Sequence, residues 1–212
     1  MEQKQQILNS SFALFMRYGI KSVTMDDIAK ELGISKKTLY QHVRNKADLI
    51  EQIAQQHLCE EEEVMTHIRS TSSDALEEML RIGKYVVDKL QAVSHTALYD
   101  LRKYYSSTWK QMETQMKQQV YSIISENLER GIRQGIYRAE LKPDIIARLY
   151  IGKSLLIADD DWFDPETYSV ASLQAVFINY HMHGILSAKG RQLLEKHLAA
   201  ERQQDNKDLT PN

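Results

Sequence analysis

Residues 23–50 read VTMDDIAKELGISKKTLYQHVRNKADLI, and this stretch holds the start signals of three consecutive helices. Thr24 stands three positions before Asp27, a pair that can satisfy the free amides of a helix start as a capping box does. Ser35 and Asn45 are of the residue types that cap the starts of the next two helices. Isolated helices below about 12–15 residues are marginal in water. The stretch therefore predicts short helices that stabilise one another by packing.

Two small residues indicate how the first two of these helices meet. Ala29 lets two helices cross closely, and Gly33 permits the left-handed backbone of a tight turn between them. Leu39 and Val43 are spaced to face inward from the helix that follows. A small residue, a glycine four positions later and a capped second helix together predict a helix-turn-helix.

Lys36 and Lys37 open the second helix of this motif, where the helix dipole disfavours each cation by about 0.3–1 kcal/mol. Two solvated lysines on an indifferent surface need no partner, and this explanation suffices for an isolated pair. In a helix-turn-helix, however, the start of the second helix enters the major groove, where cations meet phosphates and guanine edges. Hydroxyl groups nearby can bond phosphate oxygens, and the next helix start can take a phosphate. We predict a DNA-contacting set that combines these groups with two base readers: Thr24, Ser35, Lys36, Lys37, Thr38, Tyr40, Gln41, His42 and Lys46.

The charge distribution agrees with an anionic partner at one end of the chain. Residues 1–50 carry eight Lys/Arg against five Asp/Glu, whereas the remaining residues carry nineteen against twenty-four. The whole-chain charge of −2 therefore conceals a basic first quarter. A basic segment of this kind favours association with nucleic acid.

The stretch from Val23 to Ile50 resembles the DNA-binding signature of the TetR family of bacterial transcriptional regulators. The shared features are a threonine before the second helix, the pairs and triplets IA, GIS and TLY, and a lysine that begins the fourth helix. Leu14, Phe15 and Gly19 match the family's first helix as well. The resemblance implies a homodimeric regulator, most often a repressor, that reads a palindromic operator and is released by a small molecule. Lys37 stands where the family commonly has glycine, which adds a cation to the expected interface.

The rest of the chain predicts an all-α fold. The first 142 residues contain no proline, and the apolar residues recur with helical spacing. The resemblance implies about nine helices, with a helix-turn-helix DNA-binding domain over 1–46 and a helical effector-binding and dimerisation domain over 47–212. Beyond the first domain we place helices near residues 73–91, 95–105, 108–134, 143–159 and 168–187.

Two late segments, 135–158 and 169–186, are more apolar than one buried helix face requires. They are the natural candidates for the four-helix bundle through which members of the family dimerise. The alternative is that both are core helices of a monomer. We favour the dimer, because a two-fold protein presents two recognition helices to a palindromic site, about 34–36 Å apart.

Aromatic residues concentrate between residues 85 and 121, where they are joined by methionines at helical spacing. The simplest explanation for any one of them is an ordinary core position. Tyrosine enrichment favours a cavity, because a buried hydroxyl needs a partner that a ligand can supply. We predict an apolar or aromatic effector held by a subset of these residues: Tyr85, Tyr104, Trp109, Met112, Met116 and Tyr121.

Other function classes have little support in the sequence. There is no G-x-S-x-G, P-loop, H-E-x-x-H or G-x-G-x-x-G motif, so we predict neither an enzyme nor a cofactor. His181 and His183 point about 200° apart on a helix and cannot share one metal ion. No stretch approaches the ~18 apolar residues of a membrane span, and the start lacks signal-peptide features, so a cytoplasmic location is expected. A helical carrier or enzyme with merely structural N-terminal helices is the alternative function.

Overall fold

The computed structural model describes residues 2–157, 162–164 and 166–208, with side chains described as far as residue 199. Within these ranges the chain forms ten helices and one isolated antiparallel bridge, between Tyr137 and Leu186. The prediction of an all-α fold is confirmed. The helices are α1 (Glu2–Tyr18), α2 (Met25–Glu31), α3 (Lys36–His42), α4 (Lys46–Thr71), α5 (Ala75–Ala92), α6 (His95–Tyr104), α7 (Ser106–Arg133), α8 (Pro143–Ile157), α9 (Val170–Ile185) and α10 (Ala188–Asp208).

The predicted helices of the later chain agree with α5 to α9 to within two residues at every end. Predicted residues 158 and 159 lie outside the described ranges. The described part holds one helix more than the nine or so implied by the resemblance. None of the described helices is long and apolar enough to cross a membrane.

The chain divides into two compact units, which are described separately. The first unit comprises residues 1–63 and 92–118, and the second comprises residues 64–91 and 119–212. The predicted domains, 1–46 and 47–212, were divided by function, whereas these two units are divided by the contacts within them. The predicted boundary therefore stays a prediction.

The first unit is built around one apolar core to which α1 to α4 and α6 contribute. Phe15, Ile28, Leu39 and Leu49 are almost completely buried in it, and Ala97 of α6 joins them. The short helices α2 and α3 have seven residues each, so most of their stability comes from this shared core.

The second unit has its own core, formed mainly by α5, α7, α8 and α9. At its centre the Tyr137 hydroxyl oxygen lies 2.9 Å from both the Ala75 carbonyl oxygen and Asn127 Oδ1, either of which accepts its one hydrogen. The buried carboxylate of Glu78 accepts from Asn127 at 2.9 Å and from Arg130 at 3.2 Å. These buried polar groups have partners, as a stable interior requires.

Candidate nucleic-acid interface

Hydrogen bonds between two residues three positions apart, Thr24 and Asp27, define the start of α2. The Thr24 hydroxyl accepts from the Asp27 amide at 3.2 Å, and the Asp27 carboxylate accepts from the Thr24 amide at 2.8 Å. The predicted capping box is therefore present in both directions. The Asp27 carboxylate also accepts from the Thr24 hydroxyl at 2.6 Å, and the hydrogen bonds from this hydroxyl and from the Thr24 amide hold the pKa of the Asp27 carboxyl below its usual value.

The turn and the second cap also form as predicted. Gly33 has a φ of +63°, in the left-handed region that glycine adopts without strain. The Ser35 hydroxyl accepts from the Thr38 amide at 3.0 Å and caps α3. Leu39 is fully buried and Val43 nearly so, which leaves the opposite face of α3 for solvent or DNA.

The exposed face of α3 carries cationic and hydrogen-bonding side chains. Lys36, Lys37, Tyr40 and Gln41 are all exposed. The Lys36 ammonium forms an ion pair with Asp26 of α2, in which both side chains remain more than half exposed. An exposed pair of this kind contributes little stability, so Lys36 can exchange this carboxylate for a phosphate at low cost.

Thr38 and His42 are half-buried at the edges of this face. The Thr38 and Ser35 hydroxyl oxygens lie 2.8 Å apart, and His42 Nε2 lies 3.3 Å from Gln3 Oε1. The start of α1 therefore borders the same surface as the end of α3. All of the nine predicted DNA-contacting residues except Lys46 lie on or beside this surface. Their contacts with DNA stay predictions.

Lys46, the ninth residue, is engaged with the protein backbone. Its Nζ donates to the carbonyl oxygens of Ile20 and Val23, at 2.5 Å each. Burial lowers the pKa of the Lys46 ammonium, while the carboxylates of Asp100 and Asp27 oppose this effect. This geometry differs from that of a lysine that projects from a helix start toward DNA.

Asp100 of α6 is a residue that the sequence analysis missed. Its side chain is only 6% exposed, and its Oδ2 accepts from the Lys21 amide at 2.7 Å. The only available signal was an acidic residue one helical turn from Ala97, on the face of α6 that packs into the core. A lone acid on an apolar helix face indicates a buried partner.

The predicted effector residues fall into both compact units. Trp109, on α7, lies under the Arg102 guanidinium at 4.7 Å, and the Tyr121 hydroxyl donates to Asp144 at 2.8 Å. This hydrogen bond raises the pKa of Tyr121. Four of the residues belong to the first unit and two to the second: Tyr104, Trp109, Met112 and Met116, then Tyr85 and Tyr121.

One open cleft of about 270 Å³ lies between α4 and α7 within the first unit. Its walls include Glu51, Gln52 and Gln55 of α4 and Gln111 and Met112 of α7. Met112 is the one predicted effector residue among its walls. Most of the residues that line this cleft have polar or charged side chains, although more of its surface is apolar than polar.

Helices α8 and α9 carry apolar side chains on their outer faces. Leu149 is 54% exposed on α8, and Val176 and Tyr180 are 69% and 66% exposed on α9. A methyl group built on Gly152 or Gly184 would meet no atom within 4 Å in this structure. Exposed apolar stripes with small residues are typical of surfaces that pack against another helix pair.

Comparisons with known proteins agree with this architecture. The family described as bacterial regulatory proteins, tetR family, matches residues 7–53. The uncharacterised HTH-type transcriptional regulator YvaF of Bacillus subtilis is 24% identical over 182 residues, which cover 85% of this chain and 94% of that protein.

Two solved structures share the fold. A transcriptional regulator from Cytophaga hutchinsonii superposes with a TM-score of 0.72 at 19% identity, covering 88% of this chain and all of the other. SmeT, the repressor of the Stenotrophomonas maltophilia multidrug efflux pump SmeDEF, superposes with a TM-score of 0.68 at 15% identity, covering 87% of this chain and 91% of its own.

The capped helix-turn-helix, its basic outer face and these similarities define a DNA-binding transcriptional regulator. Residues 7–53 match the family model of the tetR bacterial regulatory proteins, and over 85% of its length the chain is similar to an HTH-type transcriptional regulator. That family is a class of regulators rather than of enzymes.

Proposed function

We propose that the chain is a homodimeric repressor whose two α3 helices read the half-sites of a palindromic operator. The observation that carries this proposal is the outer face of α3, where Lys36, Lys37, Tyr40 and Gln41 are exposed side by side on a helix fixed by its buried Leu39. Lysines supply phosphate contacts, and Gln41 and His42 supply hydrogen bonds to base edges.

The remaining contacts are hydroxyl groups at the edges of this surface. Thr24, Ser35, Thr38 and Tyr40 contact phosphate oxygens and fix the register of α3 in the major groove. For Thr24 and Ser35 this role is added to capping. The Thr24 hydroxyl donates to the Asp27 carboxylate at 2.6 Å and would turn its hydrogen toward a phosphate on binding, and the hydrogen bond between the Ser35 and Thr38 hydroxyls would be exchanged in the same way.

Dimerisation is proposed through the outer faces of α8 and α9. Leu149, Val176 and Tyr180 would each lose solvent contact in a four-helix bundle formed with a second copy. Burying these side chains is favourable by about 25 cal/mol per Å² of apolar surface. In a monomer these apolar side chains would stay in contact with water, and this favourable free energy of burial would be absent.

Repression and release by a small molecule rest on the family and on the efflux-pump repressor SmeT, whose fold this chain shares. An effector stabilises a form in which the two α3 helices no longer match the half-sites, through a coupling of typically ~1–3 kcal/mol. We propose an apolar or aromatic effector held by a subset of Tyr85, Tyr104, Trp109, Met112, Met116 and Tyr121. Binding of such a molecule is measurable as quenching of Trp109 fluorescence, with Trp109→Phe as the control.

The DNA proposal is tested with Lys36→Ala and Lys37→Ala, measured on the duplex that the wild type enriches from a random pool. Each variant is expected to weaken binding and to reduce the slope of log K against log salt by about two, because one phosphate contact is lost in each of the two subunits. Lys84→Ala, an exposed lysine of the second unit, is the matched control and keeps the wild-type slope. Wild-type affinity and slope in both α3 variants would contradict the proposed interface.

A further inference from the structure

Three carbonyl groups of the turn between α1 and α2 point toward the ammonium group of Lys46. Lys46 Nζ lies 2.5 Å from the carbonyl oxygens of both Ile20 and Val23, and 3.5 Å from that of Lys21. A lysine ammonium has three hydrogens to donate and no acceptor. The backbone of this turn therefore occupies the donors that a DNA phosphate would otherwise take.

The same turn is held from α6 by a buried carboxylate. Asp100 Oδ2 accepts from the Lys21 amide at 2.7 Å, across 79 positions of sequence. Gly19 makes this approach possible, because its φ is +81° and a Cβ built there would lie only 3.2 Å from Asp100 Oδ2 and 3.0 Å from Thr96 Cγ2. The Lys21 ammonium also donates to the Tyr104 hydroxyl at 3.2 Å, farther along α6.

The two charged groups support each other at this turn. Asp100 favours the charged form of the half-buried Lys46 ammonium, and Lys46 in turn supplies a positive charge near a carboxylate that is only 6% exposed. A buried carboxylate without such a partner would be costly. The turn thus lies between an acid of α6 and a base of α4.

The position of this turn decides where the DNA-reading helices lie. Val23, whose carbonyl bonds Lys46, precedes Thr24, whose side chain and amide form the cap of α2. Helices α2 and α3 have seven residues each and owe their placement to their surroundings rather than to intrinsic helix stability. A shift of the turn would therefore move α2, and α3 with it.

We propose that Asp100 and Lys46 are positioning residues, which hold the turn of residues 19–24 from two sides and set operator affinity without touching DNA. The inference rests on the proposed function, in which α3 reads the operator. For Lys46 it replaces the phosphate contact that its position at a helix start predicts. The surface of α3 supplies the contacts, and Asp100 and Lys46 supply the orientation in which those contacts form.

The decisive readout is the salt dependence of binding to the palindromic duplex that the wild type enriches from a random pool. Lys46→Met and Asp100→Asn are expected to weaken binding about tenfold or more, because each removes a charge-assisted bond at the turn. Their slopes of log K against log salt are expected to equal that of the wild type, since no phosphate contact is lost. Lys36→Ala, which loses one phosphate contact per subunit, provides the slope expected of a direct contact.

Lys46→Arg separates the two roles of this residue further. A phosphate contact accepts arginine, whose guanidinium binds phosphate well. The turn presents three carbonyls to one compact ammonium, and the planar guanidinium does not fit that arrangement. Positioning therefore predicts that Lys46→Arg binds as weakly as Lys46→Met, with an unchanged slope.

A matched control excludes simple destabilisation. Glu78→Gln alters another buried carboxylate, in the second unit, where Glu78 bonds Asn127 and Arg130. It is expected to lower the thermal unfolding midpoint while leaving the affinity of the folded protein unchanged. Where Asp100→Asn folds poorly, Asp100→Glu keeps the charge with an altered reach and is measured in its place.

Hydrogen exchange gives a readout that does not involve DNA. In Asp100→Ala the Lys21 amide is expected to exchange at least about tenfold faster than in the wild type, because its acceptor is gone. A slope that falls by about two in Lys46→Met, wild-type affinity in the Asp100 variants, or unchanged exchange at Lys21 would each overturn the inference. If the wild type enriches no duplex at all, the proposed function fails instead, and exchange at Lys21 still decides whether Asp100 holds the turn.

Discussion

Helices α3 and α9 expose opposite kinds of side chain, and the contrast separates two kinds of partner. On α3 the exposed residues include Lys36, Lys37 and Gln41, whereas on α9 Val176 and Tyr180 are each about two-thirds exposed. A charged, hydrogen-bonding face remains solvated until it meets a polyanion. An apolar face of this extent is stabilised by another protein surface. The comparison predicts that damage to the two helices will affect DNA binding in different ways.

The largest effect on DNA binding is expected from charges placed on the apolar outer faces of α8 and α9. Leu149→Glu combined with Val176→Glu should convert the dimer to a monomer, because carboxylates would be buried at the interface. Operator affinity should fall by about a hundredfold or more, and the salt slope should fall to about half, since only one α3 helix then reaches DNA. Sedimentation and binding measured on the same samples test both statements.

The matched control for this change is Leu198→Glu on α10, where the leucine is 40% exposed and lies outside the α8 and α9 stripes. It makes the same chemical change and is expected to leave the protein dimeric. A dimer that persists in the double variant would place the contact between copies on another surface.

A second prediction concerns a histidine that is buried on the inner face of α9. His181 of α9 is 9% exposed and packs against the Tyr150 ring, with ring centres 4.9 Å apart. Burial, aided by the positive charge of Lys153, lowers the pKa of His181 from 6.5 to about 4. The folded protein therefore holds this imidazole neutral where the unfolded chain would protonate it.

The sign of the resulting pH dependence follows from linkage. The unfolded chain binds a proton at His181 below pH 6.5 and the folded chain does not, so stability is full above pH 6.5 and declines as the pH falls toward 4. Between pH 6.5 and 5 the loss is at most about 2 kcal/mol. Urea unfolding of the wild type and of His181→Leu measures it, and the variant should show a flatter dependence over that interval. Equal slopes in the two proteins would contradict the burial of a neutral His181.

The smallest effect on DNA binding is expected from removal of the ion pair between Lys36 of α3 and Asp26 of α2. Asp26 pairs with Lys36 in the protein without DNA, so it competes with phosphate for that ammonium. Asp26→Asn is expected to strengthen operator binding about twofold to threefold at low salt, as befits an exposed pair, and less at high salt.

The background Lys36→Ala distinguishes competition for Lys36 from a general loss of negative charge. In that background Asp26→Asn should have no effect, because the competed cation is absent. An equal gain of affinity in both backgrounds would show that Asp26 acts through the overall field and not through Lys36.

The sequence predicted those parts of the fold that depend on neighbours within about four residues. The capping box of Thr24 and Asp27, the cap at Ser35 and the left-handed turn at Gly33 are all of this kind, and all are present. Helix bounds followed for the same reason, since helical spacing of apolar residues and punctuation by glycine and proline are local features.

The contacts that escaped prediction join distant parts of the chain. Asp100 meets Lys21 across 79 positions, and the engagement of Lys46 with Ile20 spans 26. No local pattern indicates which carbonyl a lysine will find, whereas the position of Lys46 at a helix start, which can take a phosphate, is a local feature and predicts a contact with DNA. The effector residues have the same difficulty: a helical stripe such as Trp109, Met112 and Met116 specifies a face, and only the tertiary arrangement decides what that face meets.

Selection of random duplex DNA on the purified protein, near physiological salt, is the decisive test of whether this chain is a dimeric reader of a specific DNA sequence. We expect enrichment of a palindrome whose half-sites lie about one helical turn or a multiple of it apart. Repeating the selection with cell extract tests whether a co-ligand is needed for binding. A pool that stays random with and without extract would contradict the claim.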